Sequence, residues 1–84
     1  MRVAYTKNAK EELIRTDWKT RESILRQIGQ LQETKTLTQR LKGVHYDHDL
    51  KKIEINNYVI IGKVHDGNFA VLSVVQRKEI RLPE

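Results

Sequence analysis

The sequence predicts an α+β domain, with an N-terminal strand and a two-helix hairpin packed on one face of a small antiparallel sheet. Between positions 7 and 33 apolar residues recur at helical spacing. From Val44 onward the pattern turns to short alternating or fully apolar runs, cut by Asn56-Asn57 and Asp66-Gly67, the punctuation of hairpins. A chain of 84 residues without cysteine has room for one core, residues 1–84 as a single domain, and no disulfide framework.

Residues 2–6, Arg-Val-Ala-Tyr-Thr, read as the first strand. Thr6 can cap a short helix over Lys7–Arg15, because its hydroxyl can accept from an unpaired N–H of the first turn. Ala9, Leu13 and Ile14 then share a face. Thr16-Asp17 breaks the run, and Asp17 or Thr20 can cap a second helix reaching about Glu33. Its apolar stripe, Trp18, Ile24, Leu25, Ile28 and Leu31, is expected to enter the core. Gly29 costs that helix about 1 kcal/mol relative to alanine, which suggests close packing against the neighbouring helix. Residues 34–38 have poor helix propensity and read as a linker, and residues 40–43 as a turn into the β half.

Strand register follows from the turns. With Asp66-Gly67 as a two-residue turn, Val64 faces Phe69, Ile61 faces Leu72 and Val59 faces Val74. With Asn56-Asn57 turning likewise, Ile55 faces Tyr58, Glu54 faces Val59 and Lys52 faces Ile61. Alternation sends Ile53, Ile55, Tyr58, Ile60, Val64, Phe69, Val71 and Val75 towards the helices. Leu50, Lys52, Glu54, Val59, Ile61, Lys63, Ala70, Leu72 and Val74 take the other face. On that face Val59, Ile61, Leu72 and Val74 form an apolar patch that a partner protein is expected to cover. The same counting puts Arg77 on the helix side, opposite Lys52. The two cations can share a site only through a bulge or bend near Gln76.

The longest apolar run, residues 58–62, is strand-length and far short of a membrane span. Met1 leads into Arg2-Val3-Ala4-Tyr5 with no signal-peptide core, so a cytoplasmic protein is expected. A net charge of +5 suits nucleic acid, a ribosome or an acidic protein, and is also compatible with ordinary solubility charge. Arg40, Lys42, Lys51, Lys52, Lys78 and Arg81 can form a basic rim for phosphate contacts, with Tyr46 and Tyr58 nearby as rings on which a base can stack. Glu54 reads either as a general base or as an ordinary strand charge. His45-Tyr46-Asp47-His48-Asp49 contains metal-ligand types, but loop spacing fixes no coordination geometry and a polar turn is the simpler reading. His65 reads as a solvent-facing hairpin residue. No metal or cofactor is expected.

Residues 40–80, RLKGVHYDHDLKKIEINNYVIIGKVHDGNFAVLSVVQRKEI, resemble the C-terminal half of the RelE/ParE superfamily, toxins of bacterial type II toxin–antitoxin pairs. The resemblance lies in an ordered set: an L-K-G turn, a K-I-x-I strand, a short turn, Y-x-I-I-x-K-V, a D-G hairpin and an apolar strand ending in x-R-K-E-I. The N-terminal half matches in layout. The resemblance implies an mRNA endoribonuclease that works on the ribosome, needs no metal and is held in check by a cognate antitoxin. It implies functional roles for Lys52 and for Arg77 as a phosphate-binding arginine. Glu54 and Arg81 stand as further catalytic candidates, and Arg40, Lys42, Lys51 and Lys78 as RNA contacts. Three positions depart from the pattern. Glu54 stands where some members have a second lysine, Val59 where active ribonucleases usually carry arginine, and Arg81 where many carry an aromatic residue. The departures keep open a ParE-like toxin that blocks DNA gyrase without chemistry, or a relative that retains only antitoxin binding.

Overall fold

The computed structural model describes residues 2–44 and 47–77. In chain order the elements are β1 (Arg2–Tyr5), α1 (Lys7–Arg15), α2 (Trp18–Glu33), α3 (Leu37–Arg40), β2 (Lys42–Val44), β3 (Asp47–Ile55), β4 (Tyr58–His65) and β5 (Asn68–Gln76). They build a five-stranded sheet in the order β1-β5-β4-β3-β2. β2 to β5 form the expected antiparallel meander. β1 pairs parallel to β5, so the sheet is mixed. A hairpin enforces antiparallel sense only on strands it joins directly, and β1 is separated from β5 by the rest of the chain.

Local chemistry sets the helix ends. The Thr6 hydroxyl accepts from the Ala9 N–H at 3.2 Å, and Asp17 accepts from the Thr20 N–H at 3.1 Å and the Thr20 hydroxyl at 2.6 Å. Those Thr20 bonds hold the Asp17 carboxyl below its usual range. At the far end of α2 the Thr36 N–H reaches the Leu31 carbonyl at 3.0 Å, with Lys35 at φ 59°. This is a Schellman closure with lysine in the left-handed position that glycine favours. Lys35→Gly removes the Cβ strain and is expected to stabilise the domain by about 0.5–1 kcal/mol in urea unfolding. An unchanged or lower midpoint would contradict that assignment.

Residues 34–38 do more than link. They lead into α3, whose Leu37 is fully buried in the core, because the short helix folds its one apolar side chain inward. Lys42 and Gly43, expected within a turn, form β2 with Val44 and pair with β3, and residues 47–49 lie inside β3 instead of forming a polar turn.

The core joins Ala9 and Leu13 of α1, Ile24 and Ile28 of α2, and Leu37 to Ile53, Ile55, Ile60, Phe69, Val71 and Val74 of the sheet. Three apolar residues expected there are outside it: Trp18 is 58 % exposed, Ile14 69 % and Leu25 41 %. At about 100° per residue, Trp18 and Leu25 lie about 100–120° round α2 from Ile24, and Ile14 about 100° from Leu13. The buried stripe is narrower than the apolar one. Gly29 has nothing within 4 Å of where a Cβ would stand, so no neighbouring helix packs closely there.

Beyond Tyr5, where β1 ends, α1 takes over the edge of β5. The Thr6 N–H donates to the Val71 carbonyl at 3.0 Å, the Asn8 amide to the Leu72 carbonyl at 2.9 Å, and the Val74 N–H to the Glu12 carboxylate at 3.2 Å. The Ser73 hydroxyl also donates to Glu12, at 3.0 Å. These side chains satisfy backbone groups that a bare sheet edge would expose.

The β4–β5 register holds as expected from the turn, Val64 opposite Phe69, as far as Gly62 opposite Val71. There β5 carries one extra residue, Leu72, and the pairing resumes with Ile61 opposite Ser73, Ile60 opposite Val74 and Val59 opposite Val75. The expected pairs Ile61–Leu72 and Val59–Val74 are therefore shifted by one. Val74 turns into the helix-side core and Val75 turns out. Val64, placed on the helix face by alternation, sits near the hairpin tip and is exposed.

Candidate functional site

The face of the sheet turned away from the helices gathers cations from α3, β2 and β3, and from Arg77 just after β5. Lys52 and Glu54 are two apart on β3 and share that face. Lys42 of β2 lies directly opposite Lys52, and Arg40 ends α3 beside it. Arg40, Lys42, Lys52 and Glu54 line a cleft of about 220 Å³. Like charges directly across a ladder destabilise the pair, so Lys42–Lys52 is not explained by stability.

Arg77 reaches this face because of the bulge. Gln76 pairs with Tyr58 on the helix side, where its amide donates to the Tyr58 hydroxyl at 3.2 Å. The next residue therefore leaves on the opposite side. The Arg77 N–H donates to the Asn57 carbonyl at 2.7 Å, which anchors the backbone, and its Nη1 stands 3.8 Å from Glu54 Oε2. The bulge needed to unite Lys52 and Arg77 thus exists, at Leu72 and not near Gln76. Glu54 lies between the Arg40–Lys42–Lys52 group and Arg77.

No family model and no curated protein sequence matches the chain. Solved structures do. The RelB–RelE antitoxin–toxin complex from Methanococcus jannaschii matches with a TM-score of 0.72 at 23% identity, over 90% of this chain and 92% of that one. The toxin–antitoxin complex RelBE2 from Mycobacterium tuberculosis matches at 0.76 and 16%, over 90% and 96%. The intact E. coli RelBE complex matches at 0.68 and 18%, over 89% and 94%. This chain has the RelE fold. At such identities the shared property is the backbone, and the side chains on it are this chain's own.

On the RelE fold the expected site residues separate into groups. Lys52, Glu54, Arg40 and Lys42 line one cleft, and Arg77 adjoins it through Glu54. Lys51 does not join them, because alternation turns it to the side of Ile53 and Ile55, where it is half-buried. Lys78, Arg81 and Tyr46 lie outside the described residues. The expected apolar patch does not form as drawn. Val59 and Val74 are each 3 % exposed, and Ile61 and Leu72 are half-buried; the bulge removes Val74 from that face altogether. Among the described residues no group of three or more His, Asp or Glu could hold a metal, and His45 lies outside them. His65 is exposed at the hairpin, 3.1 Å from Asp66.

Sequence reasoning missed the surroundings of Arg77. Asp17, Thr20, Asn57, Tyr58 and Gln76 line with it a hollow of about 580 Å³ beside the start of α2. Its polar lining comes from the α2 cap, the β3–β4 turn and the end of β5, brought together only by the tertiary fold.

Proposed function

We propose that this chain is the toxin of a bacterial type II toxin–antitoxin pair and acts in the cytoplasm as a ribosome-dependent mRNA endoribonuclease, without a cofactor. The observation that carries the reading is the Leu72 bulge, which puts Arg77 on the same face as Lys52. The RelE fold supports the toxin class, since the matching structures are toxin–antitoxin complexes. In the reaction the RNA 2′-oxygen bonds to the adjacent phosphorus and the bond to the 5′-oxygen breaks, while a proton leaves the former and reaches the latter. Charge grows on the non-bridging oxygens, and preorganised cations stabilise it. In this reading Lys52 and Arg77 supply that charge, and Arg40 and Lys42 hold flanking phosphates. The ribosome contributes position, holding the 2′-hydroxyl in line. A cognate antitoxin is the expected protein partner, its acidic residues meeting the same cations.

A specific observation favours a second reading, a toxin that blocks DNA gyrase without chemistry. Val59 stands where the resemblance expects arginine, and it is buried, so this position presents no cation to a phosphate.

Primer extension on mRNA in a translating extract tests the choice. The purified chain is expected to produce discrete cuts that disappear when ribosomes are omitted. No cuts, together with inhibited gyrase supercoiling, would establish the blocker. Neither effect would leave a relative that only binds antitoxin.

A further inference from the structure

Glu54 is the acidic member of a cleft otherwise lined by Arg40, Lys42 and Lys52, and it faces Arg77 at 3.8 Å. A guanidinium offers the same forked donors to a carboxylate and to a phosphate. Whatever phosphate approaches Arg77 must therefore compete with a carboxylate already beside it. Both side chains are solvent-accessible, 68 % for Arg77 and 45 % for Glu54, so the pair adds little to stability and can open without disturbing the core. An acid kept among four cations on a face with no need of it for folding calls for another role.

We infer that Glu54 is a positioning residue that acts through Arg77 as a built-in competitor for phosphate, holding the arginine off free RNA. The inference rests on the proposed RNA reading and adds a regulatory term to it. RNA in dilute solution competes poorly with an anion tethered on β3, two strands across the sheet from β5 but with its carboxylate beside Arg77. The effective concentration of that carboxylate is of millimolar order. RNA fixed next to the cleft by another assembly has a comparable local concentration and can displace the carboxylate. Discrimination against unpresented RNA then comes from one side chain on the toxin itself.

The test is fluorescence anisotropy with a labelled single-stranded RNA and no ribosomes, on wild type, Glu54→Gln, Arg77→Gln and the double variant. Glu54→Gln is expected to bind about five-fold tighter at low salt, the order of one water-screened contact at about 4 Å, with the gain shrinking as salt rises. In the Arg77→Gln background the same change is expected to gain less than about two-fold, since the competitor then has nothing to occupy. Thermal midpoints of the four proteins should agree, which separates this role from a structural one. Glu54→Gln binding no tighter than wild type would overturn the inference, as would a gain that survives intact without Arg77. Failure of all four proteins to bind RNA would instead refute the RNA reading on which it stands.

Discussion

Gly62→Ala is expected to destabilise the domain by about 2–3 kcal/mol, the upper part of the range for overpacking a filled core. A methyl group at this position would run into the Ala70 backbone carbonyl and the ring of Phe69. Phe69 is fully buried, with Val71 beside it, so the ring has no free space to enter. The carbonyl belongs to a paired strand and cannot retreat without breaking the β4–β5 ladder. A domain of this size holds only about 4–12 kcal/mol in total, so the loss is a large share. The effect should extend beyond stability, because Gly62 stands at the register shift. A strand pair that relieves the clash by realigning would return Arg77 towards the helix side. Urea unfolding of Gly62→Ala and Gly29→Ala makes the comparison. Gly29 has open space and lies in a helix, so alanine there should stabilise by up to about 1 kcal/mol. Equal responses at the two glycines would contradict the packing described.

The contrast between these glycines shows which parts of the molecule the amino-acid order makes legible. Features decided within a few residues could be read directly. Thr6 and Asp17 cap where their side chains allow. Asp66 and Gly67 take φ of 51° and 76°, the pair of positive angles that a tight hairpin needs. The β3–β4 register follows from its short turn, with Lys52 opposite Ile61 and Glu54 opposite Val59. Features decided by distant contacts could not be read. Gly62 in a strand pattern was the one signal of the bulge, but whether Phe69 lies across it depends on how β5 packs under the helices. Missing one bulge residue exchanges Val74 for Val75 and reverses the face of Arg77, so a single error in register propagated to the site. Trp18 shows the opposite limit. Its apolar character is plain, yet it lies about 120° round α2 from Ile24, outside the narrow stripe the sheet covers, and stays exposed. Lys52 and Glu54 were legible because they precede the bulge, whereas the pairing of Lys42 with Lys52 was not, because residues 40–43 read as a turn.

Under the proposed function, Lys52→Ala and Arg77→Ala are each expected to slow ribosome-dependent mRNA cleavage about 100-fold or more, the scale of losing one preorganised contact to developing charge. Single-turnover rates at saturating toxin measure this, because they report the chemical step without product release. Cations that only hold the RNA should affect binding more than rate, so Arg40→Ala and Lys42→Ala are expected to raise the half-saturating toxin concentration with little loss in the maximal rate. Arg77→Lys separates charge from shape: a lysine keeps the point charge but not the fork, and partial recovery would assign Arg77 a bidentate contact. Arg40, Lys42 and Arg77 are exposed and Lys52 is half-buried, but none belongs to the core cluster, so folding should be unaffected and lost activity can be read as chemistry. Val59→Arg behaves differently. The resemblance alone suggests that an arginine there would raise activity, but the site is 3 % exposed and would have to bury an unpaired guanidinium or break the β4–β5 pairing to release it. Lower stability without faster cleavage is therefore expected for Val59→Arg. A faster, equally stable Val59→Arg would mean that this face opens when RNA binds. Full activity in both Lys52→Ala and Arg77→Ala would remove the ribonuclease assignment from this cleft.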